Sequence, residues 1–440
     1  FRGTGDAARE VGPVLLAASV LVTWIFAKSI TNAADLGARF GMVGGVAYAG
    51  YYLSIPLAGV VLGSIRRSTG ATSLAGFLVA RFGRAAAAAF LLAILIRLYN
   101  EVWSNTIVVG TYFGEKGSAG FYAAAAAFTL LTLAYSLKGG LRSSIVTDAV
   151  QLALVTFLLA LVGFAVLPES GAARLVTAGE WTLAGGLDLL LVALLQVFSY
   201  PFHDPVLTDR AFIVPVSTVR RSFGWAGVAG IVLILAFSLI GVHAYLAGIE
   251  IADDAPRAVA AAFGVGVLVS MNLVMMTSAG STLDSTFAAL AKWVAVDVPT
   301  TAKGSAASWA GSVAVGRAAM VAGAALGSLP LLSGATILQA TTISGTMVLG
   351  LAPIVCLHRL GPAPKTAFHL AFWTGIGVGA ALIAGVWPDA LTIGDGAYAA
   401  LLGANLCGLA LATGLYLTAW AWGRLRAGEA LERVAAEVPR

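Results

Sequence analysis

The chain is divided into apolar runs of about 20 residues, and that division restricts it to one class of fold. A helix rising 1.5 Å per residue needs about 20 apolar residues to cross the hydrocarbon of a bilayer. A barrel strand would show alternating segments of about ten instead. Twelve runs are legible, at 11–34, 42–64, 85–114, 118–136, 145–167, 183–207, 223–248, 258–294, 306–329, 333–356, 366–387 and 397–422. Only 11% of the 440 residues are charged and 59% are hydrophobic, whereas soluble domains carry about 25% charged residues. The predicted fold class is an all-α integral membrane protein of about 12 transmembrane helices. Its loops are too short for a soluble core, and the tail from Trp422 reads as a solvated end with Arg near the membrane, the alternative being a short amphipathic cytoplasmic helix.

Charge sets the orientation. With the first residue in the cytoplasm, 19 of the 26 Lys and Arg fall on the cytoplasmic side and 4 in external loops (Arg39, Lys116, Arg174, Arg257). The remaining 3 lie inside spans: Lys28, Arg97 and Arg317. This is the positive-inside bias of a multi-pass protein in a cell (plasma or inner) membrane, surrounded by lipid bilayer. The net charge of +5 comes from the basic loops and calls for no nucleic-acid partner. Cys356 and Cys407 both lie in apolar runs, which indicates no disulfide framework. The chain opens on Phe1 rather than Met, so a natural start upstream is expected. Oligomeric state leaves no trace in the sequence.

Two spans are interrupted. The stretch QVFSYPFHDPVLTDR (196–210) puts Pro201 and Pro205 into the sixth run, and the polar FAKSITN (26–32) interrupts the first. Span 6 is offset from span 1 by five spans, an odd number, so the two halves enter the membrane in opposite directions. Spans 3 and 8 are both unusually long. This layout predicts a single transporter domain over 1–440. Its two inverted halves, 11–167 and 183–356, contain broken helices 1 and 6, and two further helices follow at 366–422. Such a layout places a solute site at mid-membrane, between the breaks.

Charges inside spans are expensive and need reasons. The candidates are Lys28, Arg97, Glu101, Asp148, Asp188, Asp204, Asp284 and Arg317. Arg317 lies close enough to a span end to snorkel. Arg97 and Glu101 are four apart on one helix face, so they either neutralise each other or let Glu101 line a pathway. Lys28 and Asp204 stand in the two breaks and either hold a solute or neutralise each other as a clasp. Half-helix N-termini there favour an anionic group and freed carbonyls a cation. His203 stands beside Asp204, but none of the four histidines has a partner at metal-ligand spacing. Span 8 holds MTSAGSTLDSTFAAL, whose seven oxygen-bearing side chains exceed what back-bonding to the helix explains and suit a hard cation such as Na⁺.

Several stretches resemble the sodium:solute symporter family. LAGFLVARFG (74–83) resembles the segment after its second core helix, and YSLKGGLRSSIVTDAVQ (135–151) its signature between the fourth and fifth. DPVLTDRAF (204–212) resembles the end of its broken sixth helix, and TSAGSTLDSTFAAL (277–290) its eighth. The resemblance implies the inverted five-helix-repeat fold and a Na⁺ site. That site would use backbone oxygens near Val22, Ile25 and Val274 and the hydroxyls of Thr277 and Ser278, with Asp148 close by. It implies solute contacts near Ser29, Tyr48, Tyr51, Asp204 and Gln339, to which position adds Lys28, Glu101 and His203. The chain departs from the family in lacking one helix before the first broken span. Lys28 is a second departure, a cation either serving an anionic substrate or standing in for Na⁺.

The expected function is a sodium-coupled symporter importing a small polar organic solute by alternating access, with Lys28 favouring a carboxylate or amino acid. The alternatives are a membrane sensor of the same fold and a sodium-independent transporter coupled to protons or to Lys28. An enzyme is not expected, because no Ser/His/Asp or paired-carboxylate set occurs in a workable order.

Overall fold

The computed structural model describes residues 12–251, 254–301, 309–332 and 344–437, with side chains left out at 139–147, 149, 158, 166 and 427–437. Among the described residues it contains helices and turns only. Nine helical stretches there are long and apolar enough to cross a bilayer, and a bent pair forms a tenth. The two remaining expected spans are the sixth, whose apolar helix Leu183–Gln196 is too short by itself, and the tenth, at 333–356, whose first part, 333–343, lies outside the described residues.

Span 1 is that bent pair: α1 (Pro13–Val22) and α2 (Ala27–Phe40) meet at 62°. The break occupies residues 23–26, upstream of the predicted FAKSITN, which is helical from Ala27. Neither Pro nor Gly occurs in the break, so nothing local announces it. Side chains hold it open instead: Trp24 O accepts from Ser29 Oγ at 2.8 Å and from Tyr52 OH. Span 2 comprises α3 (Met42–Gly50) and α4 (Ser54–Thr69), joined by a 3₁₀ turn at Tyr51–Leu53. After the short α5 (Leu74–Phe82), span 3 is α6 (Arg84–Thr111), 28 residues long.

The predicted spans 4 and 5 fall in one assigned helix, α7 (Ala119–Ser170). At 52 residues a straight helix would run about 78 Å, far beyond a bilayer. Both ends nevertheless lie on the same side of the molecule. Phe121 packs where a side chain on Gly110 of α6 would stand, and Ser170 Oγ lies 2.6 Å from His243 Nδ1 near the end of span 7. The chain therefore reverses within the stretch, and the apolar segments Ala119–Lys138 and Val150–Ser170 are two antiparallel spans.

A short α8 (Ala172–Thr177) leads to span 6, which contains α9 (Asp188–Gln196), a break over 197–204 and α10 (Pro205–Arg210). Span 7 is α11 (Val216–Ala247). The predicted span 8 (258–294) is two helices, α12 (Ala255–Ala262) and the spanning α13 (Val265–Lys292). Gly264, at φ +98°, turns the chain between them, a conformation that side chains disfavour. After α14 (Val298–Thr301) come α15 (Val313–Gly327), α16 (Leu351–Cys356), α17 (Lys365–Ile383) and α18 (Ala399–Glu437). The helix of span 12 thus continues into the tail as far as Glu437.

The spans form two packed groups. α11 packs mainly on α2, α4 and α1, whereas α13 packs mainly on α7, α6 and α15. Small residues permit the tightest contact in the first group: a Cβ on Gly241 would lie 1.7 Å from Ala34 O, and one on Gly37 would lie 2.4 Å from Ser238 O. Such small-residue approaches replace the hydrophobic driving force that helices lack in lipid.

Candidate functional site

The two breaks meet at one bond: Trp24 Nε1 donates to Asp204 Oδ2 at 3.1 Å. Asp204 is extended and caps α10, its Oδ1 accepting from Val206 N (3.0 Å) and Leu207 N (3.2 Å). An Asp cap before Pro205 at N1 is what the sequence DPVL encodes. Both oxygens of Asp204 are therefore engaged by the protein.

Lys28 and Asp204 do not pair with each other. Lys28 Nζ reaches Glu101 Oε1 at 2.6 Å and Ser104 Oγ at 3.3 Å, both on α6. Arg97 Nη1 meets the same Oε1 of Glu101, and Arg97 Nη2 lies 3.5 Å from Asp204 Oδ2. The result is a chain of charges, Lys28–Glu101–Arg97–Asp204, that joins both breaks through one turn of α6 and sums to zero. All four residues are buried, at 1–5% exposure. Arg97 and Glu101 pair with each other, and with Asp204 they line a small cleft. Thr23, Thr282 and Ser285 complete its polar walls.

Beside this chain lies a cluster of rings. Tyr200 stands 5.7 Å from Trp24, 5.9 Å from Tyr51 and 4.9 Å from His203 (ring centroids), and Arg97 sits over its face at 5.6 Å. His203 Nδ1 lies 2.5 Å from Tyr200 O. A carbonyl only accepts, so Nδ1 carries the proton and Nε2 presents a lone pair. Among the described residues, neither His203 Nε2 nor Tyr51 OH has a partner. Ser29 and Tyr48 instead secure the first break: Tyr48 OH donates to Ser29 Oγ (3.3 Å), which donates to Trp24 O. Gln339 lies outside the described residues. Trp24, Tyr52, Ser104 and Tyr200 were not predicted, and only the positions of Trp24 and Tyr200, within or beside a break, pointed to them.

The residues expected around Na⁺ are partly assembled. No backbone amide among the described residues reaches the carbonyl of Val22 or of Ile25. Ser278 Oγ lies 3.3 Å from Ile25 O, and Val274 is one turn away on the same face of α13. Freed carbonyls beside a hydroxyl suit a hard cation, which takes oxygen ligands. Thr277 is turned away, its Oγ1 donating to Leu273 O at 2.6 Å and its carbonyl accepting from Gln151 Nε2. Asp148 lies nearby in a knot of its own, accepting from Ser19 Oγ (3.0 Å), Ser281 Oγ (2.7 Å) and Arg210 Nη2 (3.4 Å).

The other intramembrane charges have structural partners. Asp188 accepts from Leu189 N and Tyr398 N at 2.7 Å each, tying span 6 to span 12. Asp284 accepts from Tyr135 OH at 3.1 Å. Arg317 is exposed and donates to Leu137 O, consistent with snorkelling. At the end where α6 and α11 finish, Asp254 accepts from Thr31 Oγ1 and Tyr112 OH at 3.1 Å each, and Asp35 Oδ1 accepts from Ala255 N at 2.8 Å. This latch fastens the start of α12 to the body of α2 and to the end of α6.

No family model matches the sequence, and no curated protein matches it. Solved structures do match. A Na⁺-coupled sialic acid symporter, substrate-bound and outward-open, superposes with a TM-score of 0.69 at 16% identity, over 94% of this chain and 90% of that one. Mhp1, a nucleobase-cation-symport-1 family transporter, gives 0.62 at 13% identity in its closed conformation with bromovinylhydantoin bound, over 94% and 93%. Inward-facing Mhp1 gives 0.55 at 13% identity, over 95% and 92%. At such identities the likeness is one of fold. The chain is a multi-pass membrane protein with the fold of these transporters, and its broken first and sixth spans are part of that fold.

Proposed function

We propose that the protein is a sodium-coupled secondary active transporter, a symporter that imports a small polar solute by alternating access. The observation that carries the reading is the meeting of the two breaks: the carbonyl of Ile25, reached by no backbone amide among the described residues, accepts from Ser278 Oγ at 3.3 Å on one side, and a polar cleft lies against Asp204 on the other. An ion that fixes the first break would also set Trp24 against Asp204, which links ion and solute sites reciprocally. The similar structures of a Na⁺-coupled symporter and of a cation symport family transporter, covered almost end to end, favour the same reading. The bias of the basic loops supports a first residue on the cytoplasmic side of the cell membrane, with 11–167 and 183–356 as the inverted halves.

Two finer points follow from the ion pairs. Lys28 turns toward Glu101 and Ser104 rather than toward Ile25 and Ser278, so its amine does not stand in for Na⁺. The same pairing removes Lys28 as a counter-ion for a carboxylate. A cluster of two cations and two anions is balanced, and an added net charge in this setting would be uncompensated. The solute is therefore a neutral or zwitterionic molecule, amino acids included. The driving force suffices: one charge moving down about 100 mV releases about 2.3 kcal/mol. A tenfold Na⁺ gradient adds about 1.4 kcal/mol, enough in sum for roughly several hundredfold accumulation.

The test is uptake by reconstituted vesicles from a mixed pool of labelled sugars, urea, amino acids and carboxylates, with and without an inward Na⁺ gradient. Sodium-dependent uptake of an uncharged or zwitterionic compound, lost in Ser278→Ala, is the expected result. Uptake that follows a proton gradient and ignores Na⁺ would overturn the coupling, and uptake confined to anionic compounds would overturn the solute class.

A further inference from the structure

Arg97 and Glu101 tie both broken spans to a single turn of α6, with opposite polarity at each end. Lys28 of α2 pairs with Glu101 at 2.6 Å, and Asp204 at the head of α10 lies 3.5 Å from Arg97. The two ties are not independent, because Lys28 and Arg97 meet at the same carboxylate oxygen, Glu101 Oε1. The other oxygen, Oε2, is held by Asn105 Nδ2 at 3.1 Å, so the carboxylate is fixed on its own helix while its partners come from others. Loosening either end leaves an unbalanced buried charge in the middle, which is strongly unfavourable.

Three observations set this cluster apart from a static ion pair. Arg97, Glu101 and Asp204 all line the cleft, so the pairs stand at the boundary of the space a solute would enter. Arg97 Nε also has no partner among the described residues, although the side chain is 4% exposed. A buried N–H without an acceptor is costly, and this one belongs to a side chain that lines the cleft. α6 and the first broken span also belong to different packed groups, since α2 packs on α11 and α6 packs on α13.

We propose that Arg97 and Glu101 are positioning residues that form the closing clasp of the cleft. Engaged, they hold both broken spans on α6; when a solute takes the free edge of Arg97, both ends release together. The inference rests on the cleft being the solute pathway, but its test uses no transported solute and so stands or falls separately from the uptake assay. Ser285 lines the cleft, and Ser285→Cys in a Cys356→Ala chain, with Cys407 kept as an internal reference, reports opening through its rate of labelling by N-ethylmaleimide. Lys28→Met cuts one end, and Asp204→Asn cuts the other while retaining a side chain able to cap α10. Each single change is expected to accelerate labelling at position 285 by about tenfold, within the range for directly coupled neighbours. The double change is expected to add nothing further, because a clasp cut at either end is already open. Multiplying effects, roughly a hundredfold in the double variant, would mean two independent rivets and would overturn the proposal. So would single variants that label like the parent. Acceleration shared by Cys407 would mean general loosening of the fold and would overturn it as well.

Discussion

Asp204 carries two separable duties, and two substitutions at the same residue distinguish them. Its Oδ1 caps α10 and its Oδ2 accepts from Trp24 and faces Arg97. Asn keeps the cap but loses the charge, whereas Ala loses both. Thermal unfolding in detergent should therefore show Asp204→Ala less stable than Asp204→Asn by about 1 kcal/mol, the usual contribution of an N-cap. Equal stabilities would mean that the cap contributes nothing. Tyr52→Phe is a subtler test, because it removes one of two donors to Trp24 O and leaves the ring. A loss of about 1 kcal/mol in stability is expected, together with weaker Na⁺ binding, since the first break would be less firmly held. At this scale the sequence named Lys28, Glu101 and Asp204 correctly as residues of one region but paired them wrongly. Facing breaks suggested Lys28 with Asp204; the actual partners come from α6, and no spacing rule relates residue 28 to residue 101. Thr277 is a similar case: the motif TS lies beside the first break, but only Ser278 is turned toward Ile25.

Elements were more legible than pairings. Apolar runs and prolines located span 6 and its break, because Pro201 and Pro205 cannot continue a helix ladder. The first break escaped by a few residues, since it is made by tertiary donors to Trp24 O rather than by Pro or Gly. The split of α12 from α13 was missed because Gly264 sits in an otherwise apolar run. Glycine also sets the packing between α2 and α11, and two positions on α11 should respond oppositely to alanine. At Gly241 a Cβ would meet backbone at 1.7 Å, while at Gly224 it meets nothing within 4 Å. Gly241→Ala is expected to abolish the folded, monodisperse protein in size-exclusion chromatography. Gly224→Ala is expected to be neutral or to stabilise by up to about 1 kcal/mol through helix propensity. A well-folded Gly241→Ala would contradict the close contact between these helices.

At the scale of the whole molecule, two packed groups are held together by polar bonds at three levels: the Asp254 latch, the charge clasp, and the Asp148–Arg210 knot with Ser19. Asp254 lies outside the spans. Burial raises its carboxyl above the ordinary range, offset in part by hydrogen bonds from Arg257 N, Thr31 and Tyr112. A carboxyl with a higher pKa in the closed latch than in solvent binds its proton more tightly when closed, so acid favours closure. That bias is full below the solvent value of about 3.9 and is lost as pH rises through the raised one. Hydrogen exchange of α12, corrected for intrinsic chemistry, should slow as the pH is lowered through the raised pKa of Asp254, and Asp254→Asn should remove the dependence. Faster opening in acid would contradict the sign.

The central claim is that sodium is held where the first break meets α13. Binding of radiolabelled Na⁺ to the purified protein, with Ser278→Ala and Thr277→Ala as variants, tests it most directly. Saturable binding that K⁺ does not displace, lost in Ser278→Ala, is the expected result. Protein that is folded yet binds no Na⁺, or binds it equally after Ser278→Ala, would contradict the account.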